Sequence, residues 1–321
     1  MNFKNLIQTS EYNFLREIPH LNDNIILLGL GGSYSYGTNI ETSDIDIRGV
    51  ATRTAKDILI GRDWEQSVNS ATDTTIYSFD KIIKLLCACN PNTIEILGLK
   101  PEHYLIITDI GQELLDNKHL FLSKQALKSF SGYANAQLNR LINKSGRKQE
   151  EIIQNEKRSL QKALNSLGVD KSKFNIQGED DNITITANDN FELDEFIKIY
   201  QVIDNVHTDY RNSPRNSKAI EHGKLAKHQM HLIRLYLMAI DILEKGEIIT
   251  FREKEHDLLM DIRNGKYLEN NTVPTKEFMD ILDELNNKLD IVSKKSDLPD
   301  HPDLDKVNDF VYKINKNIIL K

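Results

Sequence analysis

Two aspartates one residue apart, Asp44 and Asp46, stand eleven residues beyond the Gly32-Ser33 pair of a glycine-rich turn. On an extended strand, alternate carboxylates point the same way about 7 Å apart, close enough to share divalent ions. Oxygen-only ligands of this hardness favour Mg²⁺, here as two ions, with Mn²⁺ as a substitute. A glycine turn lets backbone N–H groups approach a triphosphate with no side chain in the way, and the Ser33 hydroxyl adds a donor. Gly32, Ser33, Asp44 and Asp46 therefore suit a nucleoside triphosphate held with metal, whose departing pyrophosphate the ions neutralise. Arg48 shares the strand face with the aspartates, and two readings stay open for it: a phosphate ligand or a brace for Asp46. Two other glycine-loop readings fail. Tyr34 stands where a dinucleotide fingerprint needs its last glycine, and Thr38 stands where a P-loop needs lysine.

The elements that must place these residues are legible around them. Residues 24–30, NIILLGL, form an unbroken apolar run into Gly31-Gly32, the pattern of a buried strand ending in a glycine turn. Residues 43–51 alternate, with Ile45 and Ile47 on one side and Asp44, Asp46 and Arg48 on the other. That predicts a half-buried strand with a charged working face. Residues 72–79 are β-branched and aromatic, a third strand on which Asp73, Thr75 and Tyr77 share a face. Helical spacing follows over 80–88 until Asn90-Pro91 stops it. Beyond about residue 118 the pattern is helical over 122–142, 150–167, 193–206, 223–245, 276–291 and 304–319. A hairpin, FNIQ-GEDDN-ITIT, interrupts it. The expected fold class is α+β: an α/β domain over 1–118, then a mostly helical domain over 119–321 with a hairpin inserted near 172–187.

Composition narrows the function classes. The chain has 321 residues, 39% hydrophobic and 28% charged, which suits two globular domains and excludes wholesale disorder. Its longest apolar stretch, 232–243, contains Arg234 and Asp241 and falls short of the roughly 20 apolar residues of a membrane span. No membrane partner is expected. The N-terminal residues carry no apolar leader, and the two cysteines, Cys87 and Cys89, supply neither a disulfide framework nor the usual zinc site. A reducing, cytoplasmic setting is expected. The net charge of −7 is segregated. Residues 140–173 hold nine basic against four acidic side chains, and 211–234 hold six against one, while 174–210 hold nine acids and one lysine. Basic stretches beside an acidic one suit a protein that handles polyanions; solvated helix faces would look the same.

Read whole, the string GGSYSYGTNIETSDIDIRGV resembles the DNA polymerase β nucleotidyltransferase superfamily, and within it the RlaP-type branch tied to RNA repair. The likeness continues through NPNTIEIL at 90–97, SGYANAQLNRL at 131–141, KLAKHQMHLIRL at 224–235 and MDIRNGKY at 260–267, and so covers most of the chain. It implies an N-terminal nucleotidyltransferase domain with a mixed sheet. It also implies transfer of a nucleoside monophosphate from an NTP to an acceptor hydroxyl, here an RNA (tRNA) 3′ end, with release of pyrophosphate. By the resemblance, Gly32 and Ser33 match the phosphate turn, and Asp44 and Asp46 match the metal-binding carboxylates. A third carboxylate that binds metal or takes the acceptor's proton matches Asp73 best, with Asp57, Asp63 and Asp80 as rivals. Two alternatives remain: nucleotidylation of a protein or small molecule, and a non-catalytic nucleotide-binding or antitoxin-like protein.

Lys224, Lys227, His231 and Arg234 fall at helical steps of 3, 4 and 3 and so share a face, opposite Leu225, Ile233 and Leu237. The resemblance makes this stripe a nucleotide-binding one, with Lys224 or Lys227 reaching the triphosphate; a solvated basic face is the alternative. Tyr36 either stacks a base or packs beneath the turn. Glu95, among Ile94, Ile96 and Leu97, either orients a basic group or forms a structural pair. Tyr133, Gln137 and Arg140 share a helix face that would meet an acceptor or simply pack. His222, His228 and His231 share no common face, which disfavours zinc.

Overall fold

The structure is a computed structural model and describes residues 3–144, 156–161, 163–164, 173–179, 182–188, 190–211, 224–269 and 273–320. The fold is mixed α/β: a mixed five-stranded sheet with helices, followed by a mostly helical C-terminal region. The sheet contains β1 (Ile25–Gly31), β2 (Asp46–Ala51), β3 (Gln66–Asn69), β4 (Thr74–Ser78) and β5 (Tyr104–Ile107), in the order β3-β4-β2-β1-β5. β1 is buried at every position, as its unbroken apolar run requires of a central strand.

Register positions the site. β1 runs antiparallel to β2 with Gly31 opposite Asp46, so the end of the glycine strand meets the start of the acidic one. β2 runs parallel to β4, pairing Arg48 with Thr75 and Val50 with Tyr77. Alternation then puts Asp46, Arg48, Thr75 and Tyr77 on one face and Ile47 and Ile76 on the other. The second face is covered by Ile7, Tyr12 and Leu15 from the N-terminal helical turns, which pack with Leu28, Leu30, Ile47 and Ile76.

Four helices matter here: α1 (Gly32–Tyr36), α2 (Phe79–Cys87), α3 (Lys224–Lys245) and α4 (Leu304–Leu320). Helix α3 departs from the expected two-faced pattern. From Leu232 to Leu243 every residue except Leu237 is buried, so this stretch is a core helix. Its two charges are paired inside: Arg234 with Glu95, and Asp241 with Lys245 and Arg252. The Phe310 ring of α4 lies 6.2 Å from that of Phe79 and 6.3 Å from that of Phe121.

Contacts divide the chain into two compact units, and these do not follow a linear cut at residue 118. The first combines 1–136, 230–261 and 280–321; the second combines 137–229 and 262–279. The physical reason is that the apolar stretch of α3 and the two C-terminal helices bury their faces with the sheet unit. In the second unit, the hairpin of Phe174–Glu179 and Asn182–Ala187 is present as expected, and Ile176 packs with Leu160, Leu164 and Ile199. Among the described residues, no helix is long and apolar enough to cross a membrane.

Candidate active site

The site starts where β1 runs out. Gly32 follows with φ +56°, a left-handed conformation that L side chains rarely adopt, and opens the single turn of α1. A Cβ on Gly32 would lie 1.9 Å from Oδ2 of Asp46, so the carboxylate occupies the space that only a glycine leaves open. The Asp46 carboxylate therefore rests directly against the turn. Ser33 is buried beside it, and Ser35 Oγ donates to the Gly32 carbonyl at 2.8 Å.

Asp44 lies just before β2. The expected strand over 43–51 begins only at Asp46, because β1 ends opposite that residue and no partner remains for 43–45. A tight turn precedes Asp44 instead: the Ile40 amide donates to Ser43 Oγ at 2.8 Å, and the Ser43 amide to the Ile40 carbonyl at 2.9 Å. Asp44 is exposed.

Arg48 ties this edge together. Its Nη2 lies 3.3 Å from Asp46 Oδ1, and its Nη1 donates to the carbonyls of Asp73 at 2.7 Å and Ile47 at 2.9 Å. The brace for Asp46 is thus realised. Asp73 does not open β4 in an extended conformation; its φ is +44°, which takes it out of the alternation with Thr75 and Tyr77. Its backbone joins the site, while its negative charge, after burial and Glu11, helps raise the phenol of Tyr12 on the Ile47–Ile76 face. Asp46 and the Asp73 carbonyl are neighbours through Arg48. The three rivals have structural partners: Asp57 with Thr54 and Arg62, Asp63 with the Trp64 amide, and Asp80 with Arg53 at 2.7 Å. Among the described residues, no three Asp, Glu, His or Cys side chains form a group able to hold a metal ion.

Beneath the turn lies a feature the sequence only hinted at. Tyr36, the last residue of α1, is buried, and its hydroxyl donates to Glu95 at 2.8 Å to Oε1 and 3.0 Å to Oε2. Arg234 Nη1 donates to Glu95 Oε2 at 2.9 Å, and its guanidinium covers the Tyr36 ring 3.6 Å from the centroid. The Arg234 side chain is 1% exposed and Glu95 8%. Burial raises the Glu95 carboxyl above its ordinary range, opposed by the charge of Arg234 and the Tyr36 hydrogen bond. Burial also pushes the Tyr36 phenol far upward, so it stays a hydrogen-bond donor.

The basic stripe on α3 is accordingly split. Arg234 turns inward instead of facing a phosphate, because the stretch of helix that carries it is buried on all sides; His231 Nδ1 lies 3.0 Å from its Nη2. Lys227 is exposed and belongs to the second unit. The side chains of Lys224, Gln137 and Arg140, together with His222 and most of the two basic stretches, lie outside the described residues. Tyr133 accepts from Asn90 Nδ2 at 3.4 Å.

A glycine turn set against an aspartate at the start of the adjoining strand, on a mixed sheet, is the arrangement of polymerase β-type nucleotidyltransferases. The family described as "RlaP: RNA repair pathway DNA polymerase beta family" matches residues 6–313, nearly the whole sequence, and the chain belongs to it. The chain is also 28% identical over 119 residues to a protein of Enterobacteria phage T4, described as an uncharacterized 38.9 kDa protein in the nrdC-mobD intergenic region. That match covers 33% of this chain and 35% of the phage protein, about a third of its length. No solved structure matches.

Proposed function

We propose that the protein transfers a nucleoside monophosphate from an NTP to the hydroxyl at an RNA 3′ end, a tRNA in particular, releasing pyrophosphate. One observation carries the reading: the Asp46 carboxylate rests against the Gly32 turn, where a triphosphate held by backbone N–H groups would present its oxygens. Asp44 and Asp46 are the residues to hold Mg²⁺. Two carboxylates fit an ion that keeps several waters and takes its other ligands from phosphates. When bound, Mg²⁺ neutralises charge on the triphosphate and on the leaving pyrophosphate. Gly32 and Ser33 hold the β- and γ-phosphates, and Arg48 keeps Asp46 aimed at the turn. The acceptor oxygen bonds to the α-phosphorus as the bond to the β-phosphate oxygen breaks, and the hydroxyl proton passes to solvent. Lys227, with Lys224, is proposed as an RNA contact. A reducing cytoplasm suits the free thiols Cys87 and Cys89.

The test incubates the protein with Mg²⁺ and each of four α-labelled NTPs, with and without bulk tRNA, beside an Asp44→Asn/Asp46→Asn variant. Label should enter RNA only with the unaltered protein, falling about a thousandfold in the variant, which amounts to roughly 4 kcal/mol of barrier. Label on protein would replace the RNA acceptor by a protein one. Triphosphate binding with no label anywhere would replace transfer by nucleotide sensing.

A further inference from the structure

The phosphate turn is gripped from below by buried residues. Helix α1 is a single turn, too short to hold its own geometry by backbone hydrogen bonding alone. Its first residue supplies the turn and its last is Tyr36. Every polar and aromatic contact of the Tyr36 side chain runs to a buried charge: the hydroxyl to Glu95, the ring face to Arg234. The backbone is held as well. The Arg252 amide donates to the Tyr36 carbonyl at 3.1 Å, and Thr250 Oγ1 donates to the Glu95 carbonyl at 2.7 Å. Gly37, φ +75°, closes the helix with the Phe251 ring so near that a Cβ would lie 2.5 Å from it. A hydrophobic tyrosine-sized plug would have filled this space without burying two charges, which costs several kcal/mol of desolvation per ion before pairing.

We infer that Glu95 and Arg234 are positioning residues for triphosphate binding: through Tyr36 they set the orientation of α1, and hence of the Gly32-Ser33 turn against Asp46. This rests on the nucleotidyltransferase reading, and it adds a role for a helix 139 residues along the chain from Glu95. The ion pair acts as a two-pronged clamp. Directional contacts to the hydroxyl and to the ring face together fix both the height and the rotation of Tyr36, which apolar packing alone does not do.

Inorganic triphosphate with Mg²⁺ is the probe, because it reads the turn without needing the right base. Its affinity is measured by calorimetry for the unaltered protein, Tyr36→Phe and Arg234→Lys, at a temperature where circular dichroism shows all three folded. Tyr36→Phe keeps the ring and the ion pair and removes one hydroxyl; Arg234→Lys keeps the charge and loses the flat guanidinium. Both should weaken triphosphate about tenfold or more, since displacement of a positioning group by an ångström costs up to about a hundredfold. Binding of bulk tRNA, measured in parallel, should stay within about twofold, a split that a loss of folded protein would not give. Triphosphate affinity within twofold in both variants, with only the melting temperature lowered, makes the pair structural and overturns the inference while leaving the transferase reading intact. No triphosphate binding by the unaltered protein overturns both.

Discussion

The two ends of the single-turn helix after β1 handle charge in opposite ways. At its start, Asp46 and Arg48 are each 29% exposed and meet at 3.3 Å. At its end, Glu95 and Arg234 are 8% and 1% exposed and meet at 2.9 Å. A solvated pair of the first kind is worth about 0–1 kcal/mol, so water, a metal ion or a phosphate can take over either partner at little cost. A buried pair of the second kind is different: removing one partner strands the other, at roughly 3–5 kcal/mol. Chemistry needs charge that can be reassigned, whereas a scaffold needs charge that cannot. This protein sets one of each at the two ends of a five-residue helix.

The largest effect should come from the buried end. Arg234→Met leaves Glu95 without its cation, and urea titration should show about 3–5 kcal/mol less stability. Adding Glu95→Gln should restore much of it, because the neutral amide still accepts from Tyr36. A loss under about 1 kcal/mol in the single variant would erase the contrast between the ends.

At the exposed end, Gly32→Ala introduces a methyl where Asp46 Oδ2 lies and an L residue at φ +56°. About 1–2 kcal/mol of stability should go to the left-handed backbone, with a fall of at least about tenfold in nucleotide transfer as the carboxylate is displaced. Unchanged transfer would mean that the carboxylate and the turn do not act together.

The smallest effect should be that of Asp73→Asn. The contribution of Asp73 to the site is its carbonyl, which the substitution keeps, so transfer should stay within about threefold. Loss of transfer with triphosphate binding intact would instead make its side chain the acceptor base and add a third charge to the exposed end.

What was legible in the sequence follows the range of the interactions. Asp46 and Gly32 were readable because an apolar run, a glycine turn and a period-two strand are local patterns, and antiparallel pairing does the rest. The sheet strands β3 and β5 are not legible in the sequence: QSVN is polar and short, and YLII is only four residues long and starts three residues after Pro101. Nothing in Thr72-Asp73-Thr74 announces the left-handed backbone of Asp73, although aspartate tolerates that region better than most. Helical spacing correctly aligned Arg234 with His231, yet periodicity gives a direction and not what lies there. The partner of Arg234 was 139 positions away.

That separation also orders events in time. A ribosome adding about 5–20 residues per second needs roughly 7–28 seconds to go from Glu95 to Arg234. During that interval the nascent sheet carries an acid destined for the interior whose counterion has not been made. Pairing must then close a loop of more than a hundred residues, a non-local step of the kind that slows folding. The nucleotide turn is translated well before the arginine that clamps it.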